Sequence, residues 1–479
     1  MRTLANFIGG AFVPARDGAE LDDVDPATGE VIARIPASKA PDVDDAVRAA
    51  RSALDGGWGR SGVAERADLL ESVAARIAAR ADELAELESL DTGKPIRLAR
   101  TVDIPRAVLN FKFFAGAVRH DQTACHAMEG ALNYTLRRPL GAVALITPWN
   151  LPIYLLSWKT APALAMGNAA VAKPSELTPL TAHALAEIFH ELKAPAGAFN
   201  LVHGTGPEAG QALVEHDGIA AVSFTGGTAT GRKVAAAAAP RFKKLSLELG
   251  GKNPTLVFAD ADFEAAVEGT VRAGFLNQGQ VCLCGSRVLV ERSIYPRFAE
   301  ALAARVSRMV VGAPSDPTAE LSALISPAHR AKVEGYLALA LEEGGRFLCG
   351  GTRPEADAFA SGAYLLPTVI DGLSPTCRTA QEEIFGPVVT LHPFDDEEEA
   401  VRLANGVRYG LAASLFTRDL SRAHRVAAAL ESGMVWVNTW LLRDLRVPFG
   451  GMKESGVGRE GGAYSLDFFS EARNICIKL

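Results

Sequence analysis

Cys282 closes the run Asn277-Gln278-Gly279-Gln280-Val281-Cys282. A cysteine behind a glycine-containing turn is a candidate nucleophile, because the thiolate is the attacking species and needs a polar, partly open setting. The competing reading is a buried structural thiol. Glu248 ends the apolar run Leu245-Ser246-Leu247-Glu248, ahead of Leu249-Gly250-Gly251. A carboxylate at the end of such a strand is desolvated, which raises its pKa and suits it to general-base work. The plainer reading is an edge-of-strand charge. Asn150 follows Ile146-Thr147-Pro148-Trp149 at the tip of a turn. An amide N–H placed there stabilises an oxyanion, or the Asn simply makes the turn.

Further motifs suit a phosphorylated ligand. Val171-Ala172-Lys173-Pro174-Ser175-Glu176 ends a strand-like run, where open α/β sheets bind ligands. An acidic group there hydrogen-bonds both ribose hydroxyls of NAD and repels a 2′-phosphate; a surface ion pair is the alternative. Phe224-Thr225-Gly226-Gly227-Thr228-Ala229-Thr230-Gly231 is a glycine-rich turn between a strand and a helix, open to a pyrophosphate. Gly204-Thr205-Gly206 is a weaker candidate, and neither run matches Gly-x-Gly-x-x-Gly. Glu382-Glu383-Ile384-Phe385-Gly386-Pro387 and Pro448-Phe449-Gly450-Gly451-Met452-Lys453-Glu454-Ser455-Gly456 each read as a turn when taken singly.

The elements that must position these residues are legible in the apolar periodicity. Asp42–Leu54, Val63–Leu90 and Asp103–Val118 have helical spacing. After Pro139 short apolar runs alternate with helical ones: Ala142–Ile146, Leu155–Ala165, Ala169–Ala172, Leu180–Leu192, Phe199–Val202, Gly206–Val214, Ala220–Phe224 and a helix from Thr228. This alternation predicts βαβ units and a parallel sheet, with a second α/β stretch from Thr255 to Val437. A chain of 479 residues calls for two or three domains. A net charge of −7 without a basic run speaks against nucleic acid and anionic membranes as partners. Cys282 and Cys284 lack a zinc-ribbon spacing, and the other four cysteines are scattered, so no metal is expected. The most apolar stretch, Leu151–Ala172, is broken by Lys159, Pro162, Gly167 and Asn168. A cytoplasmic protein is expected.

In this order, and from Phe7 to Ile477, the motifs resemble the aldehyde dehydrogenase superfamily. The resemblance implies an α/β chain with a Rossmann-like NAD-binding domain (1–116 and 140–250), an α/β catalytic domain (251–448) and a small β oligomerisation arm (117–139 and 464–479). It implies Cys282 as nucleophile, Glu248 as general base and Asn150 as oxyanion donor. NAD would lie against Ile146, Thr147, Pro148, Trp149 and Leu249. Lys173 and Glu176 would hold the adenosine ribose and Gly226 and Gly231 the pyrophosphate, while Ser175, Gly206, Phe224, Thr225 and Gly227 would also contact the cofactor. Glu383 and Phe385 would hold the nicotinamide end. Relatives often have Ser where this chain has Gly227, so one side-chain contact to the pyrophosphate is missing.

For substrate, the resemblance points to Arg106 and Arg443, where relatives for simple apolar aldehydes carry apolar groups. Arg presents a planar fork to a carboxylate. Arg106 has an ion pair as its alternative role, and Asp444 could neutralise Arg443 or Arg446. Trp158, Leu441 and Phe449 would line apolar walls. The run Asn438-Thr439-Trp440-Leu441-Leu442-Arg443-Asp444-Leu445-Arg446 looks most like the branch that oxidises muconate semialdehydes. The expected substrate is 2-hydroxymuconate-6-semialdehyde, with 2-aminomuconate-6-semialdehyde next, then a general aliphatic or aromatic aldehyde. A retired binding protein on the same fold is the non-enzymatic alternative. Asn474–Lys478 alternates like a strand, either an internal edge strand or one whose open edge takes a partner; the resemblance implies the latter, in a homodimer or homotetramer.

Overall fold

The structure, a computed structural model, describes residues 1–479 except Ala358. Its centre is a sheet of eight strands. In spatial order these are Gly456–Val457, Lys244–Glu248, Ala221–Thr225, Ala142–Ile146, Ala169–Lys173, Phe199–Leu201, Asn6–Ile8 and Ala11–Val13. The five from Lys244–Glu248 to Phe199–Leu201 are parallel. Strands 142–146, 169–173 and 221–225 are buried throughout, which explains their unbroken apolar character. From Ala142–Ile146 the chain first adds strands to one side and then, at Ala221–Thr225, to the other. A crevice opens at such a reversal, beyond the carboxyl ends of the strands.

A second sheet of seven strands runs Arg346–Cys349, Thr368–Asp371, Val388–Phe394, Arg287–Glu291, Pro254–Val257, Ala412–Phe416 and Met434–Val437. Only the first pair is antiparallel. The segment after residue 448 returns to the first sheet, because Gly456–Val457 pairs with Leu247 and Glu248. A separate antiparallel sheet joins Ser470–Lys478, Ala131–Pro139 and Cys125–Met128.

The helix expected over Val63–Leu90 is two helices, Val63–Ala79 and Ala81–Thr92. The break falls at Arg80, whose guanidinium pairs with Glu83, Glu187 and Glu191 and so ties the turn to helix Leu180–Glu191. A pattern of apolar positions does not register such a break, because both halves face the same core. Helix Pro152–Ala165 is buried along its whole length despite Pro162 and Lys159. The Lys159 ammonium is neutralised by Glu460 at 2.8 Å and donates to Ser223 Oγ at 2.8 Å. Among the described residues no helix is long and apolar enough to cross a membrane.

Candidate active site

Cys282 stands where two cavities meet. One is a cleft of about 410 Å³ over the carboxyl ends of the first sheet. The other is a narrow, mainly apolar tunnel of about 40 Å³. The turn that delivers Cys282 is strained: Asn277, Gln278 and Gly279 have φ of 53°, 55° and 68°. At Gly279 a Cβ would fall 2.0 Å from the Gly386 carbonyl oxygen, so only glycine fits. Each non-glycine residue held there costs about 1–3 kcal/mol. Hydrogen bonds offset this: Gln278 Nε2 donates to Ala323 O at 2.7 Å, and Gln280 Oε1 accepts from Ile325 N at 3.0 Å. Asn253 Nδ2 donates to the carbonyls of Cys282 (2.7 Å) and Cys284 (2.9 Å). Burial pushes the Cys282 thiol up, and Glu383 and Glu248 add to the shift, while Arg443 opposes it. Cys284 packs in an apolar cluster, and burial holds its thiol at about 12.

Glu248 is the last residue of its strand and lies on the cleft wall. Neither carboxylate oxygen has a hydrogen-bond partner. Burial raises its pKa well above the usual range, and the nearby Glu460 raises it further; Lys159, Arg443 and Arg459 oppose. Asn150 shares the cleft, and its Nδ2 donates to Gln280 O at 2.9 Å.

The same cleft is walled by Ile146, Thr147, Pro148, Trp149, Lys173, Ser175, Glu176, Gly206, Phe224, Thr225, Gly226, Gly227, Leu249, Glu383 and Phe385. Lys173 and Glu176 form an ion pair of 3.3 Å. Glu383 Oε1 accepts from Gly251 N at 2.9 Å. Phe385 sets its ring perpendicular to Trp149 at 5.3 Å. Gly227 caps helix Thr228–Ala238, whose first turn faces the cleft. Gly231 departs from expectation. It is not on the wall; a Cβ there would meet the Leu249 side chain at 2.4 Å, so this glycine serves helix packing. Thr230 and Gly250, both inside the motifs, also line the cleft, and so do His329 and Lys332, which no motif singled out. His329 donates from Nε2 to Phe385 O at 2.7 Å.

In the tunnel, Leu441 and Phe449 are wall residues, with Leu151, Val281 and Leu283. Arg443 reaches it too. Its guanidinium lies 3.9 Å from the Phe449 ring centroid and 4.7 Å from that of Trp158. Trp158 is therefore a buried platform beneath Arg443 and not a wall. Arg443 Nη1 donates to Tyr154 Oη at 3.2 Å, and Nη2 is buried without an acceptor. Asp444 pairs with Arg446 at 2.6 Å. Arg106 is off the wall as well, over the Tyr154 ring at 5.3 Å from its centroid. Its pKa is held low by burial, with the charge of Arg443 contributing. Tyr154 thus links both arginines. The sequence carried one signal for it: Tyr154 lies four residues before Trp158, on the same helix face.

The lone Glu248 carboxylate makes a testable statement independent of any reaction. Its folded pKa exceeds the unfolded one, so the native state loses stability as pH rises through that interval. Glu248→Gln keeps the shape without the charge. The variant should melt above the wild type at pH 8, with the gap closing at pH 5, where Glu248 is protonated. Thermal midpoints at the two pH values check this; an equal gap at both would refute it.

Comparison with known proteins agrees with this geometry. A 2-hydroxymuconic semialdehyde dehydrogenase of Pseudomonas sp. (strain CF600) is 50% identical over 486 residues, covering 100% of both chains. A 2-aminomuconic semialdehyde dehydrogenase of Danio rerio is 50% identical, covering 99% of this chain and 98% of its own. The crystal structure of PnpE, from Pseudomonas sp. WBC-3, in complex with nicotinamide adenine dinucleotide superposes with a TM-score of 0.97 at 43% identity, over 99% of this chain and 97% of that one. The model of the aldehyde dehydrogenase family matches residues 12–475, and the chain belongs to that family.

Proposed function

We propose that this enzyme oxidises 2-hydroxymuconate-6-semialdehyde, an aldehyde with a carboxylate at its other end, to the dicarboxylic acid with NAD. The observation that carries this reading is Arg443: a guanidinium in the tunnel of Cys282, with a buried Nη2 that has no acceptor. A buried donor without a partner costs about 1–3 kcal/mol, more when charged. A substrate carboxylate removes that cost. Arg106, beside it and without an ion pair among the described residues, adds a second cation. The 50% identical relatives support the choice of substrate. 2-Aminomuconate-6-semialdehyde is the second reading, favoured by the Danio rerio relative at the same identity.

The cleft residues fit NAD. Lys173, Ser175 and Glu176 would hold the adenosine ribose, Gly226, Gly227 and the helix N-terminus the pyrophosphate, and Glu383 with Phe385 the nicotinamide end. NAD, when bound, supplies the hydride acceptor. The sulfur of Cys282 forms a bond to the aldehyde carbon, and its proton passes to Glu248, whose raised pKa favours taking it. One amide hydrogen of Asn150 is used on Gln280 O; the other, with the Cys282 backbone N–H, holds the oxyanion. Once the aldehyde hydrogen has left, a thioester remains on Cys282. Glu248 passes the thiol's proton on to solvent and then takes a proton from water, whose oxygen displaces the sulfur as thiolate and gives the free acid.

Six unpaired cysteines accord with a reducing, cytoplasmic setting. Ser470–Lys478 and Met434–Val437 are both edge strands. Their exposure favours a homodimer or homotetramer in which one chain's arm pairs with another chain.

NADH formation with 2-hydroxymuconate-6-semialdehyde, benzaldehyde and hexanal is the direct test. The acid-aldehyde should lead by about 100-fold in kcat/KM, roughly 2.7 kcal/mol. Comparable rates on all three would refute the carboxylate clamp. Arg106→Ala should raise KM for the acid-aldehyde about 10-fold or more and leave benzaldehyde within about threefold; equal losses would exclude Arg106 from the clamp. With Glu248→Gln, the NADH burst should slow but still reach about one equivalent, while turnover falls by about 10²–10⁴-fold. Unchanged turnover would remove Glu248 from the hydrolytic step. At Gly227 an added Cβ meets nothing within 4 Å. Gly227→Ser should therefore fold normally and tighten NAD binding about three- to tenfold through one new hydrogen bond; weaker binding in a titration would show that this face does not meet the pyrophosphate.

A further inference from the structure

Lys94 follows Gly93, whose left-handed backbone (φ 70°) ends helix Ala81–Thr92 and turns the chain inward. Its side chain is completely buried, and so are those of Glu88 and Asp103 on either side. Nζ donates to Asp103 Oδ2 at 2.8 Å and to the backbone oxygen of Asn150 at 3.1 Å, with Glu88 Oε1 at 3.7 Å. Asn277 Nδ2, from the nucleophile turn, donates to the same Asn150 oxygen at 3.2 Å. Asp103 ends the wide π-turn Ala99–Asp103, directly before helix Ile104–Arg119, which carries Arg106.

We propose that Lys94 is a positioning residue that fixes the Asn150 peptide, and through Asp103 ties it to the helix carrying Arg106. A buried ion pair is often no more stable than apolar residues of equal volume, so packing alone does not account for a charge here. An apolar side chain could not bind the Asn150 carbonyl. With that oxygen held by an ammonium on one side and an amide on the other, the peptide cannot rotate, and the Asn150 amide stays aimed into the cleft beside Cys282. Donors of this kind are effective only when fixed before the charge develops. The inference rests on the reading of Asn150 as the oxyanion donor.

The test is a double-mutant cycle on the full-length enzyme with saturating NAD and benzaldehyde, a substrate without a carboxylate, reading the rate of the NADH burst. Asn150→Ala alone should slow the burst about 10²–10³-fold. Lys94→Met alone should slow it about 10- to 100-fold, with NAD affinity, read by protein fluorescence, unchanged. In the Asn150→Ala background, Lys94→Met should change the rate less than about twofold, because it acts through Asn150. Full multiplicative loss in the double variant would overturn the inference while leaving Asn150 in its role. A loss of NAD affinity matching the loss of rate would overturn it too, as a general structural effect. A neutral Asn150→Ala would overturn the oxyanion reading and the inference with it. Should Lys94→Met not fold, Asp103→Asn, which loosens the ammonium but keeps its bulk, is read in the same cycle with the same outcomes.

Discussion

Asn150 leaves the first sheet, and Cys282 arrives on a turn that leads into the second. Two amide hydrogen bonds hold them in register: Asn150 Nδ2 to Gln280 O at 2.9 Å, and Asn277 Nδ2 to Asn150 O at 3.2 Å. The relative position of Asn150 and Cys282 is set there, within the range of ordinary N–H···O bonds. The left-handed backbone of Asn277–Gln278–Gly279 makes the second bond possible, and the fit of Gly279 against Gly386 leaves that backbone no alternative. Strain in this turn is offset by hydrogen bonds that reach Ala323 and Ile325.

Around this seam, desolvation acts on Cys282 and Glu248 in the same direction. It pushes the Cys282 thiol and the Glu248 carboxyl up together, and the nearby Glu248 raises the thiol further. Arg443 is the cation that opposes both shifts. It is pinned by Phe449, Trp158 and Tyr154, so one side chain lines the tunnel and also moderates the charge of the site.

Much of the parallel core was legible because its strands are buried on both faces. Ala142–Ile146 coincides with the run read from the sequence, while Ala169–Lys173 extends its run by one residue and Ala221–Thr225 is shifted by one from its run. The break at Arg80 was not legible, since it depends on carboxylates of a helix about a hundred residues away. The cleft residues were readable as motifs because each stands at the end of a strand or the start of a helix, where local spacing carries information. Gly231 was misread for the same reason: its motif places it near the turn, but whether it meets ligand or Leu249 is settled by how its helix packs.

Trp158 and Arg106 mark the boundary between the two sources of information. The sequence by itself determined which side chains were available: a thiol behind a glycine turn, a carboxylate at a strand end, an amide at a turn, and two arginines, one of them next to Asp444. It determined the order of strands and helices, because periodicity is local. Only the tertiary structure decided that Trp158 supports Arg443 from beneath, that Asp444 turns to Arg446, that Tyr154 links the two guanidiniums, and that Lys94 holds Asn150. Those are contacts between residues far apart in the chain or on separate elements. Burial and charge pairing act through space, so they are fixed by packing and not by spacing.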